Sequence, residues 1–212
     1  MSVEHLRVGV LGTGPVGRAL AGRLSEVGHD VLVGSRTASA ERVVSFADAA
    51  AHGEVLVNAT GGIVSIDALT LAGADNLAGK PLLDLSNALD HSAGFPPKVL
   101  ATDSESLGER IQAAFPTALV VKTLNTMNHD VMVRPRLLAG PHVTFVAGND
   151  EAAKAVVRGL LTQFGWTQDE IIDLGDLSGS RAMELYLPLW LRTYAAVGSG
   201  MFNVNVVRAA DN

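Results

Sequence analysis

Short, almost purely apolar runs alternate with amphipathic stretches along most of the chain, and this alternation predicts strand and helix in turn. Residues 6–12 (LRVGVLG) read as a buried strand ended by glycine. From Pro15 the spacing turns helical through Val16, Leu20, Leu24 and Val27. Pro15 suits a first helical position and Gly28 suits the stop. Further strands are expected at 30–34, near Val43 and Val44, and at 54–62, 80–87, 118–125, 142–150 and 170–175. Between them come helices at 46–53, Ser65 to about Leu71, 103–116 and 151–164, and a long one starting near Ser178. Because the strands are apolar on both faces, the sheet they build is parallel and covered on both sides. The expected fold is α/β, a Rossmann-type doubly wound parallel sheet over residues 1–140 with a small C-terminal α/β extension over 141–212.

Two segments stand apart from this rhythm. Residues 87–104 contain Gly94-Phe95-Pro96-Pro97 and are long enough for a functional loop or a lid. The helix from Ala182 to Val197 is apolar nearly all round, which implies burial on more than one side, with a bend at Pro188. That fits a homodimer contact, or a helix enclosed within one chain.

The chemistry is suggested first by Gly12-Thr13-Gly14-Pro15-Val16-Gly17, a G-x-G-x-x-G set between the first strand and the first helix. There Gly12 permits a tight turn, Gly14 lets main chain approach a pyrophosphate, and Gly17 lets helix and strand pack closely. At the end of the second strand an NAD enzyme places a carboxylate for the ribose hydroxyls. This chain has Ser35, Arg36 and Thr37 instead. A guanidinium fork and a hydroxyl suit a 2′-phosphate, so the expected cofactor is NADP(H). The alternative is that Arg36 is an ordinary solvated arginine.

Composition narrows the field. The net charge of −6 gives no basic field for nucleic acid. With no cysteine there is no disulfide, thiolate nucleophile or iron–sulfur ligand. The apolar stretch Leu185–Leu191 falls well short of the about 20 residues a membrane span needs. A cytoplasmic protein without membrane or nucleic-acid partners is expected. The histidines show no paired spacing for a metal, and no serine elbow or P-loop is present.

With the glycine loop, VGSR, VVKTLNTMN, FVAGND and IIDLGDLSGSRAMELYLPLWLR in view, the chain resembles the F420H2:NADP+ oxidoreductases and the small NADPH-dependent F420 reductases. It is also similar, through DLSN, VVKTLN and DLGDLSGSRAMEL, to the cytosolic oxidoreductase domain of the six-transmembrane metalloreductases. The resemblance implies a cleft in which the nicotinamide meets a flavin-like ring. It implies Thr13, Pro15 and Val16 at the pyrophosphate, and Ser35 and Arg36 at the 2′-phosphate. Ala59, Thr60, Gly61 and Asn87 are implied near the nicotinamide half, with Asn125, Thr126 and Met127 as the wall beside the reacting rings. A second basic residue for the phosphate is missing, and Arg42 is the nearby candidate.

The expected function is therefore direct hydride transfer between NADPH and a ring acceptor, a small-molecule redox partner expected to be deazaflavin F420. Such a transfer needs proximity and orientation more than an acid or base, and no catalytic side chain is assigned. The competing readings are an NADPH-dependent reductase of FAD, FMN or a small carbonyl or quinone, and a non-catalytic NADP-binding sensor.

Overall fold

The computed structural model describes residues 5–37 and 40–209. The first half follows the apolar rhythm closely: β1 (Arg7–Leu11), α1 (Pro15–Glu26), β2 (Asp30–Ser35), β3 (Val43–Ser45), α2 (Phe46–His52) and β4 (Val55–Asn58). Next come α3 (Ser65–Ala72), α4 (Ala74–Leu77), β5 (Pro81–Asp84) and a small ribbon of β6 (Leu89–Asp90) and β7 (Lys98–Val99). The rest is α5 (Leu107–Ala114), β8 (Leu119–Thr123), α6 (His129–Val133), β9 (Thr144–Gly148), α7 (Glu151–Phe164), β10 (Ile171–Asp173), α8 (Ser180–Leu185) and α9 (Leu187–Val197).

Eight strands form one sheet in the order β10-β9-β8-β5-β4-β1-β2-β3. From β8 to β3 all pairs are parallel; β9 runs antiparallel to β8, and β10 runs parallel to β9. Alternate side chains of each strand feed two cores. Val8 and Val10 pack on one face with Leu20 and Leu24 of α1 and Val157 and Leu160 of α7. Leu11, Leu56 and Leu82 pack on the other with Ala49 of α2, Leu69 of α3 and Ile111 of α5. Helices on both faces of a mostly parallel sheet make this a Rossmann-type, doubly wound α/β fold.

Several expectations change. The sheet is not parallel throughout: beyond residue 140, β9 and β10 extend it in reverse direction. The helix expected over 103–116 begins only at Leu107, because Ser106 and Glu109 cap it reciprocally. It stops at Ala114, just before Phe115-Pro116. The long C-terminal helix is two helices. Pro188 has no N–H to donate to the carbonyl of Glu184, so the chain breaks at Tyr186, whose carbonyl accepts from Leu189 and Trp190. Burial on several sides is not met within the chain either: Leu189 and Val197 of α9 lie 60% and 59% exposed. Among the described residues no helix is long and apolar enough to cross a membrane.

Candidate functional site

The order of strands reverses between β1 and β4, and loops leaving the carboxyl ends of these strands border a crevice. Gly12 follows β1 with φ +120°, a conformation side chains rarely adopt, and a Cβ there would stand 2.6 Å from the Ala59 carbonyl oxygen. A Cβ on Gly17 would strike the carbonyl of Gly12. The two glycines therefore let the β1 loop, α1 and the β4 loop close on one another. Gly14 differs: nothing lies within 4 Å of its would-be Cβ. It is the N-cap of α1 and carries no side-chain cap, so the first-turn N–H groups have no capping side chain. Thr13, Gly14 and Pro15 are exposed. Arg18 of α1 donates to the Thr13 carbonyl at 2.6 Å and braces the turn.

A cavity of about 490 Å³ opens here, with Val16, Ala59, Thr60 and Gly61 on one side and Leu85, Ser86 and Asn87 on the other. The sides approach closely because Gly62 has no side chain to strike the Asn87 carbonyl. A second cavity of about 350 Å³ lies at the end of β2, between Arg36 and the apolar surfaces of Phe46, Val64 and Leu71. Arg36 is exposed and makes no ion pair or hydrogen bond among the described residues, while the Ser35 hydroxyl accepts from the Thr37 N–H at 3.3 Å. Arg42 is not a second phosphate ligand. Its Nε and Nη2 donate to the Val31 carbonyl at 3.0 and 2.6 Å, and Nη2 pairs with Asp30. An uncapped helix start, main chain open at Gly14 and a free guanidinium fit a dinucleotide carrying a 2′-phosphate.

Asn125, Thr126 and Met127 are buried rather than open to the cleft. Asn125 stands behind Asn87: Asn87 donates to the Asn125 carbonyl at 2.9 Å, and Asn125 Nδ2 donates to Asn87 Oδ1 at 3.0 Å. Asn125 Nδ2 also donates to the Met183 carbonyl of α8 at 3.2 Å. Of the two asparagines, Asn87 reaches the cavity.

The family model for NADP oxidoreductase, coenzyme F420-dependent, matches residues 7–88, which hold the glycine loop, Arg36 and Asn87. A crystal structure from Arthrobacter sp. FB24, named for F420-dependent NADP reduction, is 47% identical with a TM-score of 0.90. It covers 96% of this chain and 100% of its own. The chain belongs to the F420-dependent NADP oxidoreductases. It is an NADP-dependent oxidoreductase. The metalloreductase STEAP3 of Rattus norvegicus is 30% identical over 209 residues, 92% of this chain but 40% of the rat protein's length. A reductive aminase of Aspergillus terreus, solved with NADPH4, shares the fold with a TM-score of 0.64 at 21% identity, over 92% of this chain and 62% of its own.

Beneath the oxidoreductase's cleft lies a cluster that local sequence patterns did not reveal. Lys122 of β8, Asp84 of β5 and Glu184 of α8 are almost wholly buried. The Lys122 ammonium donates to Asp84 at 2.9 Å and to the Ser86 carbonyl, and it pairs with Glu184 at 2.8 Å, so all three of its donors are used. Burial alone would lower the Lys122 pKa; the charges of Asp84 and then Glu184 outweigh it and hold it above the ordinary value. Glu184 also accepts from the N–H groups of Leu107 and Gly108 at 2.8 and 3.1 Å, at the start of α5. Asn58 ties the cluster to the β4 loop, donating to Asp84 at 2.9 Å and accepting from the Thr60 hydroxyl at 2.7 Å. The available signal was a lysine interrupting the apolar run of a central strand, which burial permits only with partners.

Proposed function

We propose that the protein transfers hydride directly between NADPH and a flavin-like ring acceptor, deazaflavin F420. The observation that carries this reading is the cleft at the strand-order reversal, with an unpartnered Arg36 at its nucleotide end. Gly12, Gly14 and Gly17 shape the pyrophosphate turn, and Thr13, Pro15 and Val16 line it. Ser35, Arg36 and Thr37 hold the 2′-phosphate. Ala59, Thr60, Gly61 and Asn87 border the nicotinamide half. Asn125, Thr126 and Met127 act from behind, with Asn125 fixing the Asn87 amide toward the reacting rings. Preorganised proximity is what such a transfer requires, and Asn87 is held by two hydrogen bonds to a buried neighbour. The family description and the name of the Arthrobacter structure support F420 as acceptor.

Residues 1–140 carry the nucleotide half in this reading, and 141–212 carry α8 and α9 beside the cleft. The exposed Leu189, Tyr194 and Val197 on α9 support a homodimer through that helix. A cytoplasmic location completes the proposal. Purified protein mixed with NADPH and F420, FMN or FAD tests it through the nicotinamide absorbance. Turnover with F420 is expected; turnover only with FMN or FAD would move the assignment to a flavin reductase.

A further inference from the structure

We infer that His91 is the acid that delivers the proton accompanying the hydride, an inference that rests on the hydride-transfer reading above. Reduction of a conjugated ring needs both. A hydride leaves the C4 carbon of the dihydronicotinamide and forms a C–H bond on the acceptor ring. The displaced π-electron pair moves to a ring nitrogen, which takes up a proton. The balance is NADPH plus ring plus H⁺ giving NADP⁺ plus dihydro-ring, so the cleft needs a proton source.

Of the side chains that line the 490 Å³ cavity, His91 is the titratable one. The nearby hydroxyls are committed: Thr60 donates to Asn58 at 2.7 Å, and Ser86 donates to Asp84 at 2.6 Å. Neither exchanges a proton near neutral pH as an imidazole does. His91 directly follows β6, whose Leu89 and Asp90 pair with Val99 and Lys98 of β7. Its carbonyl accepts from Gly94 at 3.0 Å, and Phe95 on the same turn meets Tyr194 of α9 edge-on at 5.9 Å. The main chain is thus anchored on both sides, while the imidazole is exposed and has no hydrogen-bond partner among the described residues. It can recharge from solvent after each turnover. The charged groups beside it are Asp90, the preceding residue, and Lys98 of β7, which pairs with Asp90 across the ribbon.

The other described histidines are placed elsewhere. His29 bonds Gln163, His52 the Asp30 carbonyl and His142 the Pro135 carbonyl, while His129 opens α6 beside Asp130. His5 bonds the Gly28 carbonyl.

The test uses the full chain as wild type, His91→Gln and His91→Ala, with NADPH and each of F420, FMN and FAD, from about pH 5.5 to 9. Wild-type kcat should fall as the pH rises, because only the protonated form of an acid can deliver the proton. Both variants should lose about 100-fold in kcat and lose that pH dependence, with added imidazole restoring part of the His91→Ala rate. NADPH affinity from fluorescence titration should stay within about twofold, since the imidazole carries no binding role. A variant that keeps the wild-type kcat and pH profile overturns the inference and leaves the hydride reading standing. Absence of wild-type turnover with every acceptor overturns both.

Discussion

Around β1 and β4 the rim of the sheet is shaped by main chain, whereas around β5 and β8 it is shaped by buried charge. On the first side, glycines let loops approach within contact of each other, and the polar groups at the edge (Arg36 and the first turn of α1) are left open. On the second, Lys122, Asp84 and Glu184 satisfy one another and leave nothing over. Open donors can recognise a ligand; closed ones can only hold a shape. The cleft thus joins a rim with open polar groups to one whose buried charges are satisfied, and Asn58 links the two.

The largest expected effect comes from breaking the closed half. Lys122→Met leaves two buried carboxylates without their cation and should cost about 3–5 kcal/mol of stability. Urea unfolding of the variant measures it, and a loss under about 1 kcal/mol would mean that the cluster is no keystone. Opening the free half should leave the fold alone and weaken the cofactor. Arg36→Ala removes charge-assisted bonds worth roughly 1.5–3 kcal/mol, so NADPH should bind about 10–100-fold more weakly. NADH should change little, and equal losses for both cofactors would contradict the assignment.

Acid sharpens the contrast at a smaller scale. The bond from Arg181 of α8, against the opposing effect of burial, holds Glu109 of α5 down from an ordinary 4.5 to about 2. A folded value below the unfolded one means this stabilisation is whole above pH 4.5 and disappears as the pH falls through about 2. Arg181→Met should lower the melting temperature slightly near neutrality, since solvent still reaches the pair. The deficit against wild type should close as acid is added, which thermal melts along a pH series would follow. The smallest effect is expected at α9: Leu189→Ser should move monomer stability by no more than about 0.5 kcal/mol. If α9 is the dimer contact, the same change should lower the mass seen by light scattering.

The rim around β1 and β4 is the more legible in sequence. Gly12, Gly14 and Gly17 lie within one turn of chain, and Ser35 and Arg36 follow directly on an apolar strand, so short-range spacing carries their meaning. The helix start at Ser106 is less legible, because the acidic stretch before it continues the helical pattern and only the reciprocal cap of Ser106 and Glu109 ends it. Lys122, Asp84 and Glu184 sit in VVKT, LLDL and AMEL, three segments far apart in sequence, and no local pattern says that they meet. Asn125 to Met127 read as a wall facing the cleft; all three are buried, and Asn125 bonds Asn87.

By itself the amino-acid sequence determined the doubly wound order of strand and helix, the glycine turn and NADP(H) as the cofactor. These rest on periodicity, backbone sterics and charge, all of which act over a few residues. Only the tertiary structure decided that β9 and β10 reverse and join the main sheet, that α9 leaves apolar side chains uncovered, and that Arg42 turns away from the cofactor end. It also decided that Lys122, Asp84 and Glu184 meet beneath the cleft. The reason is physical: a strand's direction, a helix's covered face and a buried charge's partner are each settled by whichever distant segment packs there. A buried charge must find that partner before the core can close.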